Sequence, residues 1–85
     1  MTIKWTLEAW EDYIYWQQND KKITKKINAL IKEVVQNPYD GIGKPEPLRY
    51  DLSGFWSRRI NHEHRLVYAI KDNALTIISC RYHYD

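Results

Sequence analysis

The sequence has little of what builds disulfide-rich, fibrous or membrane proteins. Its 85 residues hold one cysteine, three glycines and three prolines. A single thiol cannot form an intramolecular disulfide, so we expect a protein of the reducing cytoplasm. No apolar run approaches the roughly 20 residues that span a bilayer, and no signal-peptide pattern opens the chain. We therefore expect no membrane contact, and the length predicts one domain, residues 1–85, with a single modest core.

Net charge is also scarce, at only +2. A value so small does not indicate nucleic-acid binding by itself. The cations are nevertheless sorted, since all five arginines lie between positions 49 and 81 and five lysines lie in residues 21–32. Arginine presents a planar fork of donors that matches phosphate, so the second half is the candidate for phosphate recognition. Lys21, Lys25 and Lys32 would share one helix face, which is either a solvated surface or a contact for nucleic-acid phosphates.

Two helices are predicted in the first half. Thr6 is a candidate N-cap for a helix from Leu7 to about Asn19. A second helix is expected from Asp20 to about Gln36. Its apolar stripe, at spacings of three and four residues, consists of Ile23, Ile27, Leu30, Ile31, Val34 and Val35.

Short β-rich runs follow the helices. A Gly- and Pro-rich loop, NPYDGIGKPEP, precedes the runs LRYDL, FWSRRIN, HRLVYAI and LTIISCRYH, and TIKW is a further strand at the start. This order predicts an α+β fold with a short N-terminal strand, two helices and then an antiparallel sheet of about four strands. The helices should pack on one face of that sheet.

The pairing of the last two strands decides which side chains share a face. A two-residue turn at positions 72–73 would place Arg65 opposite Cys80, whereas a loop of residues 72–74 would place it opposite Arg81. We favour the longer loop. On that register the face against the helices carries Leu66, Tyr68, Ile70, Ile78 and Cys80. The other face would be a concave basic surface formed by Arg65, Val67, Ala69, Ser79, Arg81 and His83.

Glu46 is a candidate general base. The flanking Pro45 and Pro47 hold its backbone extended, which fixes the carboxylate in place. The neighbouring Lys44 and Arg49 would keep that carboxylate ionised. A loop glutamate that closes a surface turn is the alternative.

A proton donor and phosphate ligands are also available. His83 titrates near neutral pH and could protonate a leaving oxygen. The candidate ligands for a five-coordinate phosphorus are Arg58, Arg59, Arg65 and Arg81. Solvated or salt-bridged strand cations are the alternative for each arginine alone.

Three histidines raise the question of a zinc site, because His62 and His64 would point the same way on a strand. The favoured register puts His83 on the opposite face, and no acidic or thiolate ligand is well placed. We therefore expect no metal and no cofactor. Cys80 and the serines have no base at a readable spacing, which disfavours nucleophilic catalysis.

The motifs GKPEPL, LSGFWSRRI, EHRLVYAI and CRYHY agree in order and spacing with the YoeB-type toxins of the RelE/ParE superfamily. The chain resembles this family from Trp5 to Tyr84. The resemblance implies a RelE-like microbial ribonuclease fold and a ribosome-dependent messenger RNA endonuclease of a type II toxin–antitoxin system. The implied partners are a YefM-type antitoxin, messenger RNA and the ribosome, at the A site of its small subunit; a homodimer is left open.

The resemblance also implies a role for each matching residue. Glu46 resembles the general base, Arg65 the cation that stabilises the transition state, and His83 the general acid. Tyr84 resembles the family's terminal positioning residue. Further phosphate-binding cations of the family match Lys44, Arg49 and Arg59. Asp85 follows that tyrosine, and its carboxylate would raise the pKa of His83 or disturb Tyr84.

This set of residues suits RNA cleavage, because RNA carries its own nucleophile, the 2′-hydroxyl. A base, a cation and an acid are then sufficient, and no metal is required. The alternatives are a ParE-like gyrase poison that does not cleave, and a module that only binds single-stranded RNA through Tyr and Arg. The joint presence of Glu46, Arg65 and His83 argues against both.

Overall fold

Two helices cover one face of a five-stranded sheet in the computed structural model, which describes residues 1–82. The helices are α1, Leu7–Asn19, and α2, Lys21–Gln36. The strands are β1 (Thr2–Trp5), β2 (Glu46–Pro47), β3 (Trp56–Arg59), β4 (Arg65–Lys71) and β5 (Ala74–Ser79). The predicted α+β fold is confirmed. Within the described residues neither helix is long and apolar enough to cross a membrane.

One aspartate joins the two helices. The Asp20 backbone N–H donates to the Trp16 carbonyl and ends α1, while its carboxylate accepts from the N–H groups of Lys22 and Ile23 and caps α2. The predicted cap at Thr6 is also confirmed, because its hydroxyl accepts from the Ala9 N–H at 3.0 Å. Both helix predictions are therefore correct to within one residue.

The sheet is mixed, although we predicted an antiparallel one. Its strand order is β1-β5-β4-β3-β2, and β1 runs parallel to β5 while the other neighbours are antiparallel. In this register Ile3 of β1 lies beside Leu75, and Trp5 beside Ile77, so the apolar side chains of β1 extend the helix-packed face. A strand of only four residues, such as β1, has no sequence pattern that distinguishes parallel from antiparallel pairing, so its parallel direction could not be predicted.

The predicted strand LRYDL is wrong. Only Glu46 and Pro47 pair with β3, and Tyr50–Leu52 forms a short 3₁₀ turn. Tyr50 has a φ of 57° and Gly54 a φ of 97°, which are turn conformations that a strand cannot contain.

The β4–β5 hairpin has the two-residue turn that we did not favour. Lys71 pairs with Ala74 across Asp72 and Asn73. The φ angles of these two turn residues, 52° and 58°, are those of a type I′ turn. Aspartate and asparagine tolerate this left-handed region, so two residues suffice for the turn.

A β-bulge then offsets the shorter turn. Tyr68 pairs with Ile77 but Val67 pairs with Ser79, so Ile78 has no partner on β4. Beyond the bulge the register is again the one that the longer loop predicted. The sheet residues in the buried core are Ile60, Leu66, Tyr68, Leu75, Ile77 and Cys80, so Ile77 takes the core position that we predicted for Ile78.

Candidate active site

Glu46 begins a row of side chains that crosses four strands. It pairs with Ser57 of β3, Ser57 pairs with Val67 of β4, and Val67 pairs with Ser79 of β5. Directly paired residues point to the same face of a sheet, and this face is the one opposite the helices. Two strand spacings, about 10 Å, therefore separate the Glu46 backbone from β4.

The next row holds two arginines. Arg59 pairs with Arg65, and each lies two residues from the Ser57–Val67 pair, so both share the face of Glu46. The sequence prediction that Arg65 lies away from the helices is confirmed. One carboxylate and two guanidinium groups are thus brought to one side of the sheet.

The floor of this face is closed rather than open. Ser57, Val67 and Ser79 are only 4%, 1% and 2% exposed, whereas Glu46 and Arg59 are exposed. The predicted small side chains Val67 and Ser79 do lie on this face, but they are almost inaccessible to solvent. Solvent therefore reaches the charged residues Glu46 and Arg59 around the edge of this face.

β2 holds Glu46 at the edge of the sheet. Its flanking prolines have no backbone N–H to donate, which an edge strand tolerates. Pairing with Ser57 and a 2.9 Å bond from the Leu48 N–H to the Phe55 carbonyl keep the segment extended. The predicted extended backbone at Glu46 is confirmed, and Lys44 and Arg49 are exposed on either side of it.

Arg58 does not lie on the face of Glu46, Arg59 and Arg65. It points to the helix side and is fully buried, with its guanidinium donating to the carbonyls of Ile42 and Asp40 at 3.1 and 2.8 Å. The Asn37 carbonyl is a further acceptor, and Nε donates to the Tyr68 hydroxyl at 3.2 Å. Residues 37–42 therefore wrap around this cation, and our assignment of Arg58 as a phosphate ligand is wrong.

Two further contacts fix the segment that leads to Glu46. The Tyr68 hydroxyl donates to the Pro38 carbonyl at 2.7 Å, and burial raises the pKa of this phenol. The Arg59 N–H donates to the Gly43 carbonyl at 2.6 Å. Gly43 has a φ of 82°, and a Cβ there would lie 2.8 Å from Leu30 Cδ2, so glycine is required.

Arg65 is anchored by the turn that precedes it. Its Nη1 donates to the carbonyls of Asn61, His62 and His64 at 2.8, 3.3 and 3.1 Å. The Asn61 side chain in turn accepts from the His64 N–H at 2.7 Å. Among the described residues all of these side-chain bonds use Nη1, which leaves Nε and Nη2 available to a phosphate.

Residues 80–82 follow β5 and are held on both sides. The Cys80 N–H donates to Asp12 Oδ2 at 3.0 Å, and Trp16 Nε1 donates to the Cys80 carbonyl at 2.8 Å. The Tyr82 N–H donates to His64 Nδ1 at 2.7 Å, and the Tyr82 carbonyl accepts from the Arg65 N–H at 2.8 Å. Burial is the main cause that raises the pKa of the Asp12 carboxyl.

Arg81 lies elsewhere than we predicted. Its guanidinium carbon stacks 3.6 Å from the ring centre of Tyr15 in α1 and 4.9 Å from that of Tyr82. It therefore reaches the helix side rather than the face of Arg65. The remaining predicted site residues, His83 and Tyr84, and the adjoining Asp85 lie outside the described residues.

The zinc alternative finds no support in the described residues, where no group of three His, Cys, Asp or Glu side chains could hold a metal. His62 and His64 lie in the turn between β3 and β4 rather than on a strand. His64 is buried, with its ring 4.7 Å from that of Trp16. Burial also raises the pKa of the Cys80 thiol to about 12, so this group stays protonated.

The lysine face of α2 is exposed, as predicted for either of its two interpretations. Lys21 and Lys25 line a shallow depression of about 330 Å³ with Gln17 and Thr24. This surface lies on the helices and is separate from the Glu46–Arg65 face.

Comparisons with known proteins agree with this architecture. Residues 5–84 match the family of YoeB-like toxins of bacterial type II toxin–antitoxin systems. Toxin YoeB of Escherichia coli (strain K12) is 61% identical over 84 residues, which cover 99% of this chain and all of the relative.

Two solved structures are similar over nearly their whole length. The YoeB dimer from Staphylococcus aureus has a TM-score of 0.92 and 56% identity, with coverage of 99% of this chain and 98% of that one. A heterotetrameric YoeB–YefM toxin–antitoxin complex from the same species has a TM-score of 0.91, 56% identity and the same coverage. The chain therefore belongs to the YoeB-like toxins of bacterial type II toxin–antitoxin systems.

Proposed function

We propose that this chain is a messenger RNA endonuclease that acts on the ribosome, stops translation and is neutralised by a YefM-type antitoxin. The observation that carries the proposal is the shared face of Glu46, Arg59 and Arg65, which brings one carboxylate and two guanidinium groups to the same side of the sheet. Membership of the toxin family supports it. Its ribosomal substrate would place its action in the cytoplasm.

The proposed chemistry uses the 2′-hydroxyl of the RNA. Glu46 removes the hydroxyl proton, and the oxygen attacks the adjacent phosphorus. Arg65 and Arg59 stabilise the charge that develops on the five-coordinate phosphorus. The bond to the 5′ oxygen then breaks, and His83 donates a proton to that oxygen. The products are a 2′,3′-cyclic phosphate, which hydrolysis would open to a 3′ phosphate, and a 5′-hydroxyl end.

The remaining candidates would hold the RNA in line. Lys44 and Arg49 lie exposed on either side of β2, where they would contact phosphates next to the cleaved one. Arg81 would contact a phosphate on the α1 side, because its guanidinium rests on Tyr15. Tyr84 would position the nucleotide. Such alignment is worth several kcal/mol of the barrier, and the ribosome would supply much of it.

The relatives support two protein partners. A YefM antitoxin is present in the Staphylococcus aureus complex, and we infer that a YefM-type antitoxin covers the Arg59–Arg65 face here through an acidic segment. The dimer of the Staphylococcus aureus relative supports a homodimer for this chain.

The test is single-turnover cleavage of one message, either bare or held on stalled ribosomes. We expect cleavage only on ribosomes, and Glu46→Gln and Arg65→Ala should each slow it at least about a hundredfold. Glu11→Gln on the exposed face of α1 and Lys71→Ala at the far end of β4 are the matched controls, with unchanged rates. Circular dichroism checks that each variant is folded.

Two results would contradict the proposal. Equal cleavage of bare and ribosome-bound message would remove the ribosome from the mechanism. Tight ribosome binding with no cleavage by the wild type would leave an RNA-binding module instead of an enzyme, and inhibition of gyrase without ribosome binding would favour a ParE-like poison.

A further inference from the structure

Residues 80–82, which follow β5, are held in place by side chains that do not contact RNA in the proposed mechanism. Both polar backbone groups of Cys80 are bound by α1, through the Asp12 carboxylate and the Trp16 indole. Both polar backbone groups of Tyr82 are bound by the β3–β4 turn and the start of β4, through His64 Nδ1 and the Arg65 N–H. Four bonds from three elements thus fix three consecutive residues.

Tyr82 adopts a conformation that these bonds must maintain. Its φ is 64°, in the left-handed region that non-glycine residues rarely occupy. Such a conformation persists only where the surrounding contacts determine it, and in enzymes it is often found at functional sites. The direction in which the chain leaves Tyr82 therefore depends on His64 and Arg65.

His64 is itself held in one orientation. Its ring lies edge-on to Trp16, with the centroids 4.7 Å apart, and Nε2 lies 3.6 Å from Glu63 Oε1. Because a backbone N–H can only donate, Nδ1 must be the acceptor and the ring proton must lie on Nε2, beside Glu63. Trp16 thus acts twice, through its indole N–H on Cys80 and through its ring on His64.

We propose that Trp16 and His64 are positioning residues for the general acid of the cleavage reaction. They fix residues 80–82, and His83 is the next residue in the sequence. The same bond network ties this segment to the backbone of Arg65, so the acid and the transition-state cation are placed relative to each other. The inference rests on the proposed function and assigns two residues that do not touch the substrate.

The test compares two leaving groups on ribosome-bound message. One message has the ordinary 5′ oxygen at the cleaved bond, and the other has a bridging 5′ sulfur. A thiol ionises with a pKa of about 8.5, so sulfur departs without help from an acid. A variant that misplaces only the acid will therefore be slow on oxygen and normal on sulfur, whereas a variant that disturbs the base or the fold will be slow on both.

Trp16→Phe keeps the aromatic ring and removes only the indole donor. We expect it, and His64→Ala, to slow cleavage of the oxygen message about tenfold or more, since displacement by about 1 Å can cost up to a hundredfold. Both should cleave the sulfur message at the wild-type rate. His64→Asn keeps an acceptor near the place of Nδ1 and should recover most of the lost rate.

Trp10→Phe is the matched control, because Trp10 lies on the same helix and its ring packs against Trp5 and Tyr13 instead of residues 80–82. It should cleave both messages at wild-type rates. Thermal unfolding sets an assay temperature at which every variant is folded, and the His64→Ala and His64→Asn pair stands alone if Trp16→Phe does not fold.

Equal slowing of Trp16→Phe and His64→Ala on both messages, or no slowing on either, would overturn the inference. His83→Ala separates this from failure of the proposed function. If His83→Ala is slow on oxygen alone while the two positioning variants are normal, the function stands and the inference falls. If His83→Ala and Glu46→Gln both cleave normally, the acid and base roles are wrong, and if the wild type cleaves neither message, the proposed function itself is wrong.

Discussion

At the scale of single residues, one arginine differs from the rest of its group. Arg58 is fully buried and binds the carbonyls of Asn37, Asp40 and Ile42 as well as the Tyr68 hydroxyl. Within the described residues it forms no ion pair with a carboxylate. Backbone dipoles at the end of α2 and in the following loop stabilise its charge instead. These hydrogen bonds hold the loop of residues 37–42 in place, and this loop leads directly to Lys44 and Glu46.

We therefore predict that Arg58→Met destabilises the protein. The substitution leaves three partly buried backbone carbonyls and the Tyr68 hydroxyl without the donor that Arg58 supplies, and an unsatisfied buried group costs about 1–3 kcal/mol. A loss of at least about 2 kcal/mol in the free energy of unfolding is expected from urea denaturation. Arg59→Met, at the exposed neighbour, should change it by less than about 0.5 kcal/mol. Equal losses in the two variants would show that Arg58 has no special structural role.

The sequence identified the residues of the charged rim but not the residues that support them. Glu46 between two prolines and the arginines of the strands are visible in the sequence motifs. Arg58 could have been recognised as a buried residue. It lies two residues from both Trp56 and Ile60 and so shares their apolar face, where a charged group needs hydrogen-bond partners. The bonds of Trp16 and His64 to residues 80–82 connect positions 64 and 18 residues apart, and no local pattern indicates them.

At the scale of elements, periodicity and capping determined the helices, while strand pairing escaped prediction in detail. α2 follows from its apolar stripe and from Asp20, both of which are local. The β4–β5 register depends on a two-residue turn and a bulge whose effects cancel beyond Val67. Our choice of loop was wrong, yet Arg65 faces away from the helices as predicted. Tertiary packing determines where a bulge forms, so no local sequence pattern predicts this one.

α2 also provides a prediction about the ribosome. Its exposed Lys21, Lys25 and Lys32 would contact ribosomal RNA phosphates. The surface that these lysines form is separate from the Glu46–Arg65 face. Replacing all three by glutamate should weaken ribosome binding and flatten its dependence on salt, because fewer counterions are released. Cleavage by the ribosome-bound fraction should proceed normally. The measurement is the dissociation constant at several salt concentrations.

The control replaces Glu8, Glu11 and Asp51 by lysine. It changes the net charge by the same amount in the opposite direction and leaves the lysine surface of α2 intact. Unchanged ribosome binding by the variant in which glutamate replaces Lys21, Lys25 and Lys32 would show that the face is only solvated.

At the scale of the whole molecule, the small size of the chain bears on how it would work. A domain of 85 residues with a closed floor and a charged rim offers little surface to a flexible strand. Holding a 2′-hydroxyl in line with its phosphate is entropically costly, and a ribosome that already fixes the message would lower that cost. The chain would then need to supply only the base, the cations and the acid. This division of work is the reason we expect no activity on bare RNA.

The central claim is that the RNA itself provides the nucleophile. The most direct measurement uses ribosome-bound messages that carry a single 2′-deoxynucleotide, either at the cleaved position or one nucleotide further on. The account predicts that the first message stays intact, while the second is cut like unmodified RNA to a 5′-hydroxyl end and a 2′,3′-cyclic phosphate. Cleavage of the first message at the normal rate would mean that water or a protein group attacks the phosphorus, and the mechanism proposed for Glu46, Arg65 and His83 would be wrong.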